Sequence, residues 1–204
     1  MANRKCLLIP LAITCGLLSF PPGLSARTDF YNDGAITPND LFDHVYTWNN
    51  AVVNMTGGEA GLLDVLNAST VNVFGGRITQ GLTAWQQGRV NIFGGQVSQS
   101  LQAADASIVN LRGGQIDGWL YASGSSVVNV YGYSFAYDPS GGSRNGGRLA
   151  GLWAGGLPFA IDFVDNRDFG STYYRHVVLH VVPEPATLAL LALGGVALLR
   201  KRRG

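Results

Sequence analysis

Cysteine is nearly absent from this chain, and its central part has no lysine. The two cysteines are Cys6 and Cys15, both in an apolar run near the start, and the two lysines are Lys5 and Lys201. Once that run is removed, the remaining chain is cysteine-free, so no disulfide can hold it together. Its fold must rest on packing and backbone hydrogen bonds.

Positive charge is also scarce in the centre. Between residues 26 and 186 there are eight arginines against all 13 acidic residues, a balance of −5. A nucleic-acid or anionic-membrane partner requires a basic stripe, which this region does not supply. We therefore expect no nucleic-acid partner. Helical spacing of apolar residues with room for a helix is missing here too.

The first 26 residues have the order of a secretory signal. Arg4 and Lys5 precede an apolar run over 6–20, and a Pro-Gly break leads to the small residues Ser25 and Ala26. We predict a cleaved signal peptide over 1–26. A buried N-terminal helix is the alternative, and the prolines in this stretch count against it.

The last residues combine three unusual features. Pro183, Glu184 and Pro185 favour an extended, exposed segment, because neither proline suits a helix or a central strand. The apolar run 187–199 would form a helix of about 20 Å, short for the ~30 Å core of a bilayer. The basic cluster that follows would stay on the cytoplasmic side and stop transfer; it consists of Arg200, Lys201, Arg202 and Arg203.

This arrangement over 183–204 resembles the PEP-CTERM sorting signal. The resemblance implies recognition by an exosortase, a processing enzyme of the membrane, with the protein anchored in the inner membrane before processing. The body would then reach the cell surface or the extracellular matrix. A plain tail anchor is the alternative.

The body carries an internal repeat. A Val-Asn pair recurs at spacings of 18, 19, 19 and 19 residues, and the repeated asparagines are Asn54, Asn72, Asn91, Asn110 and Asn129. Apolar residues flank each asparagine with period 2, which predicts a strand with one face inward, and Gly-Gly pairs that suit tight corners follow the first four copies. Coils of 18–19 residues that stack at ~4.8 Å form a parallel β-solenoid. The body thus resembles β-helix proteins in architecture.

The predicted fold class is therefore all-β, with a solenoid of about five coils over 51–136. We predict an N-terminal cap at 27–50, a turn-rich linker at 137–148 and a short antiparallel β element at 149–182. The strands of that element are expected at roughly 149–153, 157–164 and 172–182, and they would close the open end of the solenoid.

Catalytic patterns are sparse. Asp64, Asp105 and Asp117 stand at different offsets from their repeat asparagine, so they would not stack into a calcium site or a catalytic group. His176 and His180 share a strand face about 13 Å apart, too far to bind one metal together. We expect no enzyme activity, no cofactor and no metal site.

The outward face of the repeat strands is the candidate binding surface. Asparagines and mostly aromatic side chains would align coil above coil, giving a candidate glycan-binding strip of Asn72, Phe74, Asn91, Phe93, Asn110, Arg112, Asn129 and Tyr131. Such a ladder can simply stabilise the stack, can bind sugar rings, or can be covered by the C-terminal strands. We expect a structural or adhesive envelope protein, with exopolysaccharide as a candidate partner. A polysaccharide-active lyase or hydrolase on the same scaffold is the alternative.

Overall fold

A computed structural model describes residues 26–164 and 176–184. The elements bounded within these residues are all strands: β1 (Ala26–Phe30), β2 (Gly34–Ile36), β3 (Leu41–Thr47), β4 (Val52–Met55), β5 (Glu59–Val65), β6 (Thr70–Val73), β7 (Arg77–Ala84), β8 (Arg89–Ile92), β9 (Gln96–Val97), β10 (Ser100–Ala103), β11 (Ile108–Leu111), β12 (Gln115–Ile116), β13 (Trp119–Ala122), β14 (Val127–Asp138), β15 (Arg148–Trp153), β16 (Pro158–Phe163) and β17 (Val177–Val181).

The strands stack in parallel, one coil above the next. One column runs β2, β4, β6, β8, β11, β14, and within it each repeat asparagine lies opposite the asparagine of the neighbouring coil. A second column runs β1, β3, β5, β7, β10, β13. The short strands β9 and β12 continue a third row, which begins with the first residues of β3, β5 and β7. The predicted parallel β-solenoid of about five turns is confirmed.

The alternation of side chains explains where the core lies. On β6, Val71 and Val73 are buried while Asn72 between them is half-exposed, and the same pattern recurs on β8 and β11. The second column adds the opposite wall of the core, with Leu63, Leu82, Leu101 and Leu120 fully enclosed. Each coil therefore buries one apolar face from each column.

Glycine pairs form the corner after four strands of the first column, β4, β6, β8 and β11. The second glycine of a pair adopts a left-handed backbone, as Gly76 does at φ 88°, which other residues rarely adopt. The first glycine is needed for a different reason, because a Cβ on Gly113 would lie 2.2 Å from the carbonyl oxygen of Phe93. Coils at these corners approach too closely for a side chain.

Segment 27–50, predicted as an N-terminal cap, takes part in the stacking. Within it, β1 pairs in parallel with β3, and β2 pairs in parallel with β4. β3 in turn pairs in parallel with β5 of the next coil. The segment therefore continues the solenoid in the same manner as the repeats.

The C-terminal part forms the predicted antiparallel element only in part, because two of its strands also pair in parallel with the coils. The second half of β14 pairs antiparallel with β15, and β15 pairs antiparallel with β16. However, β16 also pairs in parallel with β13, and β17 pairs in parallel with the first half of β14. The chain has returned to the first column, where β17 satisfies an edge of β14 that would otherwise be unpaired.

The turn-rich segment before β15 is fixed by one carboxylate. Asp162 accepts hydrogen bonds from Arg148 Nε at 2.6 Å and from the backbone N–H of Ser143 at 2.7 Å. The bond from Arg148 is the main reason that the pKa of Asp162 is lowered to about 2, although burial acts in the opposite direction. This carboxylate joins β15, β16 and the linker.

The two predicted terminal signals lie largely beyond the described part. Residues 1–25 of the signal peptide and the predicted helix 187–199 with its basic tail are outside it. Within 26–164 and 176–184, no helix is long and apolar enough to span a bilayer.

Candidate functional site

A ladder of asparagine side chains runs up the outer face of the first column. From Asn72 onward, the Nδ2 group of each asparagine donates to the Oδ1 atom of the asparagine one coil earlier. The four N···O distances are 2.8, 2.7, 2.8 and 2.9 Å, from Asn72 to Asn54, Asn91 to Asn72, Asn110 to Asn91 and Asn129 to Asn110. Parallel in-register stacking produces this ladder, because it brings identical side chains within hydrogen-bond reach.

A row of rings and one guanidinium group lies beside the ladder. Phe74 and Phe93 stack with centroids 5.0 Å apart and planes 8° from parallel. The guanidinium of Arg112 follows, 5.8 Å from the Phe93 centroid and 4.4 Å from that of Tyr131. The eight predicted strip residues thus lie side by side on one face.

The strip is open at its aromatic end. Phe74 is 51% exposed and Phe93 is 42% exposed, so the described C-terminal strands do not cover these two rings. β17 instead lies beside β14 and lengthens the strip by one strand. The strip therefore presents two stacked phenyl rings to solvent.

His180 on β17 adds a ninth side chain to the strip. The sequence did not indicate that it would lie there. Its ring stacks on Tyr131 with centroids 4.4 Å apart, and its Nε2 atom lies 2.8 Å from Asn129 Oδ1. Because that oxygen can only accept, His180 Nε2 carries the hydrogen. His180 stands outside the repeat period, and its parallel pairing with β14 had no signal in the sequence.

His176 has a separate contact. His176 directly precedes β17, and its Nδ1 atom lies 2.9 Å from the carbonyl oxygen of Ser126. In the described ranges, no group of three or more His, Cys, Asp or Glu side chains is placed to hold a metal ion.

The three aspartates considered in the sequence have unrelated surroundings. Asp64 on β5 accepts a hydrogen bond from Trp85 Nε1 at 3.3 Å, and burial raises the pKa of its carboxyl. Asp105 accepts from the backbone N–H of Gln86 at 2.9 Å. Asp117 accepts from Gln115 Nε2 at 2.5 Å and also from Gln96. No two of these carboxylates stack.

A second aromatic cluster lies on the other column and was not predicted as a surface. The ring centroids of Tyr46, on β3, and Trp48, just after it, are 6.2 Å apart. The centroids of Trp48 and Tyr31 are 6.1 Å apart. Trp48 Nε1 donates to Asp29, which also pairs with Arg27 at 3.0 Å. These polar groups satisfy one another, which is typical of a stabilising cluster.

The Pro-Glu-Pro segment begins directly after the solenoid. The backbone N–H of Val182 donates to the carbonyl oxygen of Gly132 at 2.8 Å, and Pro183 and Glu184 after it are exposed. Pro185 and the residues of the basic cluster lie outside the described residues. The folded body therefore extends to Val182, the residue before the Pro-Glu-Pro segment.

Residues 181–203 match the family model of the PEP-CTERM protein-sorting motif. The chain carries a PEP-CTERM motif. This confirms the prediction made from Pro183, Glu184, Pro185 and the basic cluster. The motif implies export, membrane anchoring before processing, and processing by an exosortase. The match does not extend over the solenoid. Comparison with curated proteins gave no match, and comparison with solved structures gave none.

Proposed function

We propose that the body of this PEP-CTERM protein is a structural or adhesive component of the cell surface or extracellular matrix, and that its strip binds exopolysaccharide. The observation that carries the proposal is the exposed pair of stacked rings, Phe74 and Phe93, beside a continuous amide ladder. Export, which the motif implies, supports this role, because exopolysaccharide also lies outside the cell.

The strip has the properties of a surface for sugar rings. A pyranose presents C–H groups on its faces, which pack against aromatic rings, and its hydroxyls bond to amide groups at the edges. The half-exposed asparagines beside the rings supply such amides. Because stacking holds these side chains in place, binding would cost little conformational entropy.

The proposed role is non-catalytic. A lyase or hydrolase on this scaffold would need carboxylates that converge on one site. Asp64, whose raised pKa would suit a general acid, has Tyr46 and Thr83 as its partners on the neighbouring coils rather than a second carboxylate. The surroundings of Asp105 and Asp117 are equally separate.

Replacing both rings tests the proposal. We expect the full-length chain with Phe74→Ala and Phe93→Ala to lose retention on a glycan array, while its melting temperature changes little because both rings are exposed. Trp85→Ala is the matched control, since Trp85 is 40% exposed but lies after β7, away from the strip. Equal glycan retention by the double variant and the wild-type chain would contradict the proposal.

A further inference from the structure

An open groove of about 980 Å³ lies beside the strip, between the glycine corners and the hairpin of β15 and β16. Phe93 and Arg112 line it and also belong to the strip. The groove is therefore continuous with the surface proposed to bind glycan, and a chain lying on the strip would run into it.

One wall of the groove is formed by the glycine corners. Gly94 and Gly113 are in that wall, and a Cβ on either would lie 2.5 Å or 2.2 Å from a carbonyl oxygen of the preceding coil. On the hairpin side, a Cβ on Gly155 would meet nothing within 4 Å. Space thus remains between the corner and the hairpin.

The hairpin wall is apolar and held in place. Trp153 is buried, stacks on Phe159 with centroids 4.0 Å apart, and donates its Nε1–H to the carbonyl oxygen of Gly114 at 3.1 Å. Leu157 at the rim is 70% exposed. The groove offers a fixed apolar wall of the kind that packs against a sugar face.

Arg112 provides a cation at the junction of strip and groove. It is exposed, it lies over the Tyr131 ring, and it has no carboxylate within ion-pair distance among the described residues. Asp117 in the same groove is already bonded to Gln96 and Gln115. A guanidinium without a counter-charge is matched by a carboxylate, which it can bind through two parallel hydrogen bonds.

We propose that the groove binds a uronic acid residue of an acidic polysaccharide, with its carboxylate on Arg112 and its ring against the hairpin wall. This inference rests on the proposed glycan-binding function and adds the class of sugar. Nucleic acid would need a basic stripe along the surface, which residues 26–186 with their balance of −5 do not supply, whereas a uronate in the groove needs contact with one cation, Arg112.

The test uses the purified full-length chain in detergent, with polygalacturonate as probe and its methyl-esterified form as uncharged control. Arg112→Gln is expected to weaken polygalacturonate binding by about tenfold or more and to weaken binding of the methyl ester much less, because the ester offers the guanidinium no carboxylate. Arg112→Lys, which keeps the charge, should bind polygalacturonate more tightly than Arg112→Gln. Equal affinity of the wild-type chain for both polymers would overturn the acidic preference.

Two further variants separate the groove from the strip. Gly155→Trp places a large side chain on the hairpin side of the groove and should weaken binding of both polymers, whereas Phe74→Ala changes a strip residue that does not line the groove. If Gly155→Trp and Arg112→Gln bind as the wild type does while Phe74→Ala loses binding, the groove proposal is wrong and the proposed function stands. If Gly155→Trp and Arg112→Gln lose binding while Phe74→Ala keeps it, the groove proposal is supported and the phenyl rings of the strip do not contribute to binding. Melting temperatures of all variants identify any loss due to unfolding.

Discussion

Three serines, Ser69, Ser107 and Ser126, are buried at the turns that end successive coils, and their hydroxyl groups differ in their hydrogen bonds. Ser69 Oγ lies 2.8 Å from Thr47 Oγ1 and 2.7 Å from the carbonyl oxygen of Leu66. Ser126 Oγ donates to the carbonyl oxygen of Ala103 at 3.1 Å. Ser107 Oγ is equally buried but has no hydrogen-bond partner among the described residues. A buried hydroxyl without a partner is a net cost to the fold.

This difference predicts that replacing serine by alanine has a different effect on stability at Ser69 and at Ser107. Ser69→Ala should lower the free energy of unfolding by about 1–3 kcal/mol, because it leaves Thr47 without its side-chain partner. Ser107→Ala should change it by no more than about 0.5 kcal/mol, or raise it, because a desolvated hydroxyl is removed. Chemical denaturation of both variants measures the difference. A loss at Ser107 as large as that at Ser69 would show that its hydroxyl has a partner.

At the scale of elements, Asp162 joins two strands and a linker. Its carboxyl binds a proton less readily in the folded chain than in the unfolded one, since its pKa is lowered from 3.8 to about 2 by Arg148. Its stabilising contribution is therefore complete above about pH 4, and it is lost as the pH falls from there towards 2. The size of this contribution is on the order of 2 kcal/mol.

Asp162→Asn should remove that dependence on pH. We expect the variant to be less stable than the wild-type chain at pH 7 by about 2 kcal/mol, and the gap to narrow as the pH falls to 2. Denaturation curves at several pH values give the comparison, with Asp43→Asn as a control at an aspartate that has no bond to this linker. A gap that stays constant from pH 7 to pH 2 would contradict the assigned role.

The elements also differ in how far the sequence determines them. The coils could be predicted because Asn72, Asn91 and Asn110 keep one period, and a parallel stack must place equal positions opposite each other. The direction of β17 could not be predicted, because strand alternation is the same in parallel and antiparallel pairing. The position of His180 on the strip depended on that direction, and so its stacking on Tyr131 was missed. The hydrogen bond from Trp85 to Asp64 was missed for a similar reason, because it joins neighbouring coils at positions that do not correspond in the repeat.

At the scale of the whole molecule, the ladder has defined ends. On β2 the position opposite Asn54 is Ala35, and on β17 the position opposite Asn129 is Val178. Neither side chain has an amide, so the asparagine ladder ends at Asn54 and at Asn129. His180 bonds to the last free amide oxygen, that of Asn129. The strip is therefore a surface of fixed length, and the sorting motif begins at the last residue of β17, the strand that closes it.

That position makes the motif testable without disturbing the body. Glu184 and Pro183 are exposed and lie beyond the last backbone bond of Val182, so replacing Glu184 by Ala, or both Pro183 and Pro185 by Ala, should leave the solenoid folded. We expect these variants to accumulate as a full-length, membrane-retained form, because the predicted helix and basic cluster still stop transfer while the exosortase no longer recognises its substrate. Membrane fractionation and mass measurement detect this form. Glu59→Gln, a change to a body glutamate on β5, should be processed as the wild-type chain is. If the Glu184 and proline variants were also processed normally, the Pro-Glu-Pro segment would not be the element that the enzyme recognises.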